Sequence, residues 1–343
     1  MYTIFHITSQ RYDDLSGIVS TKTITFNQRL LISSFFYRNL LYFLYMKKKN
    51  SLIEFYRFIF SMNVVKGHGY FPYRGPLFAP ARISVEFFFV LSGFFLVKSI
   101  DKYRKYPFWK GLFLLLWDKI RTLGIPLLVG IIFGTAYRCV VGVDNWWEFS
   151  IWGYLWYVHD MLVTFIAYYV LRRLIKGEKA FLIVTFGIFI VSSVLHAIPE
   201  LFSWGWFRAF SAMSLGVLIS YLPKIQIKRK WLLLIPLLLA CGFALKCLLA
   251  DFSFIEEEIL DLVAYPMIIY FTFHFDVHVK ALNYLGSLSF GLYAFQNVTR
   301  FMGALGYENA MVSFIIILTL TVFTDLLTRI LRSGKKKVPL LCS

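Results

Sequence analysis

RFIFSMNVVKGH, residues 57–68, is largely apolar yet opens on an arginine and closes on a histidine. In an α-helix, eleven steps of about 100° make roughly three turns, so Arg57 and His68 share one face about 16 Å apart along the axis. What that face looks into, and what kind of protein it belongs to, depends on the rest of the chain.

The composition is that of a membrane protein. Of 343 residues, 59% are hydrophobic, 20% aromatic and only 16% charged, against about 25% charged in soluble domains. Apolar runs close to the roughly 20 residues that cross a bilayer recur along the whole length. The spans use up the length, which leaves one transmembrane domain and no second globular one. Ten helices are expected, over 52–70, 81–99, 122–142, 151–171, 180–197, 207–222, 231–250, 259–275, 288–303 and 310–331, forming an all-α bundle.

Residues 1–45 stand apart. Their apolar part, LLISSFFYRNLLYFLYM, is interrupted by Arg38, and MKKKNSLIEFYRF then has the form of an amino terminus. The reading takes 46–343 as the transmembrane domain, with translation starting at Met46. Residues 1–45 are then an upstream artefact or a poorly ordered amphipathic extension, without the small-residue cleavage site of a secretory signal.

The net charge of +17 does not indicate nucleic acid, because the basic residues fall in short clusters between apolar runs and no recognition module accompanies them. Lys47–Lys49, Lys98–Lys110, Arg172–Lys179, Lys224–Lys230 and Lys335–Lys337 fall on one side of the expected topology. Asp144, Glu148, Glu200 and Glu256–Glu258 fall on the other, with Arg74, Arg82 and Arg208. Both termini are therefore expected in the cytoplasm, in a multi-pass protein of the cell membrane. Trp146, Trp147, Trp204, Trp206 and Trp231, near span ends, fit interfacial anchors. The four cysteines form neither a C-x-x-C motif nor a disulfide framework.

An arginine inside a span costs about 2.5–3.5 kcal/mol at the helix centre on insertion scales, so it normally faces protein or a water-filled cavity. Arg57 could also snorkel toward the cytoplasmic lysines, two turns away. His68, between Gly67 and Gly69, could be a simple interfacial histidine. The following segment VEFFFVLSGFFL, residues 85–96, runs back inward and is expected to bring Glu86 to a depth similar to that of His68. A carboxylate beside an imidazole fixes its tautomer and stabilises the imidazolium, as a general base requires. Ser92-Gly93 supplies a small-residue site for close helix approach.

Here the chain resembles the membrane-bound acyltransferase family 3. The resemblance rests on Arg57 and His68 with ten residues between them in the first helix, then Glu86-Phe-Phe-Phe-Val-Leu-Ser-Gly93-Phe94 in the second. It continues in Lys119, Arg121 and Pro126 of DKIRTLGIP, in Leu155-Trp156-Tyr157, and in LGSLSFGLYAFQ (285–296), which is similar to the family's late Ser-x-x-x-Tyr helix. Glu86 stands where aspartate is common, Gln296 where many members have histidine, and His159-Asp160 where small or apolar residues are usual. The resemblance implies O-acylation of cell-surface glycans or related acceptors.

The residues fit that chemistry. His68, oriented by Glu86, would serve as base for the acceptor hydroxyl. Arg57, Lys119 and Arg121 would meet the phosphates of an acyl-CoA donor at the cytoplasmic mouth, and no residue stands out for the oxyanion. The expected partners are acyl-CoA, a saccharide acceptor and the lipid bilayer, with no metal. His159-Asp160 is not read as a dyad, since neighbours on a helix diverge by about 100°, although His159 could line an acceptor cleft. His274 and His278 have metal-ligand spacing but lack H-E-x-x-H, and Glu256–Glu258 with Asp261 read as a solvated patch. The competing readings are a transporter or flippase of a lipid-linked sugar, since polar residues in a bundle also mark transport paths, and a non-catalytic relative.

Overall fold

In the computed structural model the described residues are 50–68, 81–142, 156–198, 205–223, 260–275, 277–296, 298–307 and 309–333. All lie in the second of two compact units, Asn50–Ser343. The regular structure among the described residues is entirely helical: α1 Ser51–His68, α2 Ala81–Arg104, α3 Phe108–Val141, α4 Trp156–Leu174, α5 Glu178–His196, α6 Gly205–Ser220, α7 Tyr265–Thr272, α8 Lys280–Ala294, α9 Val298–Ala304 and α10 Ala310–Ser333. The expected span 231–250 and the acidic run at 256–258 lie outside the described residues.

Two sequence expectations are corrected. The third helix begins at Phe108 rather than near 122, and the ninth is two helices, Lys280–Ala294 and Val298–Ala304. Hydropathy stopped short on α3 because Lys110, Asp118, Lys119 and Arg121 fall in its first half. That half is amphipathic: Trp109, Phe113 and Trp117, at helical spacing, are exposed, and the Phe113 and Trp117 rings stack at 5.9 Å. Pro107 precedes the first turn, and Gly142 ends the helix in the left-handed conformation at φ 73°, where only glycine is unstrained. α7 is preceded by a π-helical turn, Leu260–Ala264, with Pro266 in its first turn.

Among the described residues, three helices are long and apolar enough to cross a membrane by length and composition: Phe108–Val141, Glu178–His196 and Met311–Ile330. Others fall below that standard because their polar residues are turned inward. Ser61, Asn63, Ser84 and Glu86 on α1 and α2, and Thr164 and Asp160 on α4, are all buried. Polar side chains that face protein rather than lipid lower a helix's mean hydropathy without exposing it to hydrocarbon.

Asn50 starts α1 and finishes α7 with one side chain. Its Oδ1 accepts from the Leu52 and Ile53 amides at 3.1 and 3.4 Å, the usual amino-terminal cap. Its Nδ2 donates to the carbonyls of Thr272 and Phe275 at 2.8 and 2.7 Å, in the turn that ends α7. Ser51 then ties in α8: its Oγ accepts from the Val279 amide at 2.6 Å and donates to Asn283 at 3.0 Å. α1 and α8 thus start together and run in the same direction, with Glu54 over Gly286, where a Cβ would strike the Glu54 backbone.

α2 packs antiparallel on α1. Asn63 donates to Ser84 at 2.5 Å, and Phe60 stacks on Phe87 at 4.3 Å, with Tyr265 edge-on to both. α2 and α6 run parallel and almost touch: a Cβ on Gly93 would collide with the Met213 carbonyl, and one on Gly216 with that of Val90. In a bilayer, where lipid is as apolar as leucine, such close backbone approach is a main source of helix association.

Candidate active site

A cavity of about 240 Å³ opens between α1, α2, α3, α4 and α8. Its charged wall is made by Glu54 and Arg57 of α1 with Asp118 and Lys119 of α3. Ser92 of α2, Tyr157 and Met161 of α4, and Ser289 and Tyr293 of α8 line the remainder. Helical spacing accounts for the selection. Glu54 and Arg57 are three apart, Tyr157 and Met161 four, and Ser289 and Tyr293 four, so each pair shares a face.

Arg57 and Lys119, two of the residues expected to hold a donor, therefore meet in one cavity. Arg121 does not join them. It lies about 200° round α3 from Lys119, is exposed, and is not part of the lining. Glu54 and Asp118 went unrecognised in the sequence. Arg57 Nη1 donates to both Glu54 oxygens at 3.0 and 3.2 Å, and the Glu54 side chain is only 8% exposed against 29% for Arg57. The signal was the spacing of three between Glu54 and Arg57. Lys119 Nζ lies 4.8 Å from the centre of the Phe165 ring, a cation–π contact. Two basic and two acidic side chains thus share the wall, and their formal charges cancel.

The far end of the cavity is aromatic. Tyr157 and Tyr293 meet edge to face at 5.3 Å, and Tyr157 also packs on Phe89 at 4.7 Å. The register set by Ser51–Asn283 and Glu54–Gly286 brings Tyr293 level with about Ser61.

His68 is the last residue of α1, and its side chain lies outside the described residues. Eleven helical steps separate it from Arg57, as the sequence required. Glu86 is placed differently from expectation: the Asn63–Ser84 and Phe60–Phe87 contacts set it level with Ser61, about 10 Å of helix rise short of His68. Glu86 is 1% exposed, and its carboxylate pairs with Arg208 of α6. Removing one partner of such a buried pair strands the other charge and costs about 3–5 kcal/mol.

His159 and Asp160 also differ from expectation. His159 Nδ1 lies 2.9 Å from Asp160 Oδ1; the Cβ atoms diverge, but rotation about the side-chain bonds closes the tips. Asp160 is 3% exposed and abuts Gly205, where a Cβ would strike its carboxylate. The His159 ring packs against Trp206 at 5.4 Å. Of the possible metal pair, His274 bonds the Tyr270 carbonyl through Nδ1 at 2.7 Å. Gln296, 4% exposed, closes α8, and Thr299 donates to its carbonyl at 2.8 Å.

A family model described as an acyltransferase domain matches residues 50–328, and the chain belongs to that family, acyltransferase family 3. No curated protein and no solved structure matches the chain. Family membership supports an acyltransferase and, with the apolar helices, a membrane protein; it lends nothing to the transporter reading.

Proposed function

We propose that this acyltransferase-family chain is a multi-pass O-acyltransferase of the cell membrane, with both termini in the cytoplasm. It moves an acyl group, in the simplest case acetyl, from cytosolic acyl-CoA to a hydroxyl of a cell-surface or lipid-linked saccharide. The observation that carries the reading is the cavity that Arg57 and Lys119 share within a chain of this family.

In this reading the donor's phosphates meet Arg57 and Lys119, with Arg57 offering paired N–H donors. The pantetheine arm lies along the Ser92, Met161 and Ser289 wall and aims the thioester past Tyr157 and Tyr293. His68, at the end of α1, takes the proton of the acceptor hydroxyl as that oxygen attacks the thioester carbonyl. The new ester C–O bond forms, the C–S bond breaks, and the leaving thiolate takes up a proton. Glu86 acts here one layer below His68, holding α2 to α6 through Arg208 and fixing the end of the bundle at which the base sits. Arg121, on the outward face of α3, meets the anionic surface near the mouth rather than the donor in the cavity.

The test is acyl transfer by purified protein in lipid nanodiscs, with acetyl-CoA as donor and extracted surface glycan as acceptor. His68→Ala should lose transfer while keeping its chromatographic and thermal behaviour. Arg57→Ala should chiefly raise the KM for acetyl-CoA. Normal product formation by the His68 variant would reject the mechanism, and movement of saccharide across vesicles without any thioester consumption would reject the enzyme.

A further inference from the structure

α5 and α6 leave an open apolar groove of about 500 Å³, lined on α5 by residues from Val184 to Leu195 and on α6 by Phe207 and Phe210. Ser192 is its one side chain with a hydroxyl. Gly187 widens it, for a Cβ there would meet nothing. The groove faces outward: Ile183, Val191 and Val194 beside it are 72%, 57% and 58% exposed. From Val184 to Leu195 the helix rises about 16 Å, close to half of the roughly 30 Å hydrocarbon core. The groove therefore has the depth of a single leaflet.

It does not end blindly. Trp206 immediately precedes Phe207 and stands one turn before Phe210 on the same stripe of α6. Its indole is 39% exposed and packs against His159, whose ring is held by the buried Asp160. Ser193 and Ser211 join α5 to α6 alongside at 2.7 Å. These groups lie at the end of the bundle where α1 finishes, since α2, α4 and α6 all begin there. The donor cavity does not use them. His159 is about 200° round α4 from Tyr157 and from Met161, which line that cavity.

We infer that this groove and its cap bind the acceptor, and that the acceptor is a glycolipid, with its hydrocarbon tail along α5 and α6 and its saccharide on Trp206 and His159. The inference rests on the acyl-transfer reading for the word acceptor, but not for the binding site. The chemistry of the cap selects the headgroup. An indole and an imidazole offer flat faces with a polar edge, on which the C–H face of a saccharide stacks, and Asp160 fixes the imidazole's orientation from the buried side. A phosphate headgroup calls instead for arginine or lysine; Arg208, the basic residue nearest in sequence to the cap, is engaged by Glu86. The tail places the headgroup hydroxyls at the end of the bundle that His68 occupies.

The experiment uses the full chain in nanodiscs, without acyl-CoA, and a photoreactive dodecyl glucoside carrying its reactive group in the tail. A dodecyl phosphocholine with the same tail is the comparison. Saturable glucoside labelling that maps to α5 or α6 and exceeds phosphocholine labelling at least tenfold is expected. Gly187→Phe, which fills the groove from an open position, should cut glucoside labelling at least tenfold while unfolding at the parent's temperature. Trp206→Ala should remove the preference for glucoside. Equal labelling by the two probes, or undiminished labelling of Gly187→Phe, overturns the inference. Labelling as expected by a protein that never consumes acyl-CoA upholds the groove and removes the enzyme. Transfer to a tail-less saccharide at the same kcat/KM as to its dodecyl glycoside upholds the enzyme and removes the groove.

Discussion

Glu54→Gln should tighten acyl-CoA binding. Glu54 holds Arg57 through both carboxylate oxygens at 3.0 and 3.2 Å, and the same cavity wall carries Asp118 and Lys119. A donor phosphate that takes Arg57's remaining N–H groups must sit close to the Glu54 carboxylate. Two like charges about 6 Å apart repel by about 0.7 kcal/mol at the dielectric of water and about 2.8 kcal/mol at an effective value near 20. Removing the Glu54 charge should therefore raise donor affinity by roughly 3- to 100-fold, toward the lower end because Arg57 is 29% exposed and salt screens it. The isosteric amide still fits over Gly286, where any bulkier change would meet the α8 backbone. The assay is calorimetric titration of CoA into purified protein at low and high salt, with the gain shrinking as salt rises. An unchanged or weaker Kd for the glutamine variant would show that Glu54 orders Arg57 for the donor rather than competing with it, and would refute the reasoning.

Three further outcomes follow from the packing. Arg208→Ala strands the Glu86 carboxylate, which is 1% exposed, and should destabilise the protein by about 3–5 kcal/mol; thermal unfolding in detergent measures this, and Glu86→Gln with Arg208→Met together should recover much of it. Gly93→Val drives a side chain into the Met213 carbonyl and should abolish the α2–α6 contact, read as loss of monodisperse protein, while Gly187→Ala, with open space around it, should not. Lys119→Ala should raise the KM for acyl-CoA at least fivefold, whereas Arg121→Ala should leave it within twofold, because only Lys119 faces the cavity.

Much of the bundle was legible because apolar runs and basic clusters are local signals. What hydropathy understated was the extent of a helix that carries several charges, whichever way they point. The first half of α3 fell outside the expected helix because it carries four charges, yet Trp109, Phe113 and Trp117 are exposed on it at helical spacing. The break between α8 and α9 left little hydropathy signal, because Gln296 is one more polar residue in a stretch already carrying Ser287 and Ser289. At the site, the spacing of Arg57 and His68 was readable because a helix converts spacing into direction. The partner of Glu86 was not, because Arg208 lies on a helix whose packing on α2 depends on Gly93 and Gly216 meeting far apart in sequence. The pairing of His159 with Asp160 was misjudged for a related reason: helical angles describe Cβ atoms, and these side chains close the gap at their tips.

The length of α3 ties the donor site to the membrane itself. At 34 residues the helix is about 51 Å long, some 20 Å more than the hydrocarbon core it must fit. A helix of that length fits a bilayer by tilting or by laying part of itself along the interface, and the amphipathic first half, with Trp109, Phe113 and Trp117 exposed, suits the second course. Lys119 rides on that half, so a change in bilayer thickness that alters the tilt of α3 also moves Lys119 relative to Arg57, which is fixed on α1. On the proposed function, the wall formed by Arg57 and Lys119 is therefore adjustable by hydrophobic mismatch, and donor affinity should depend on the lipid as well as on the chain.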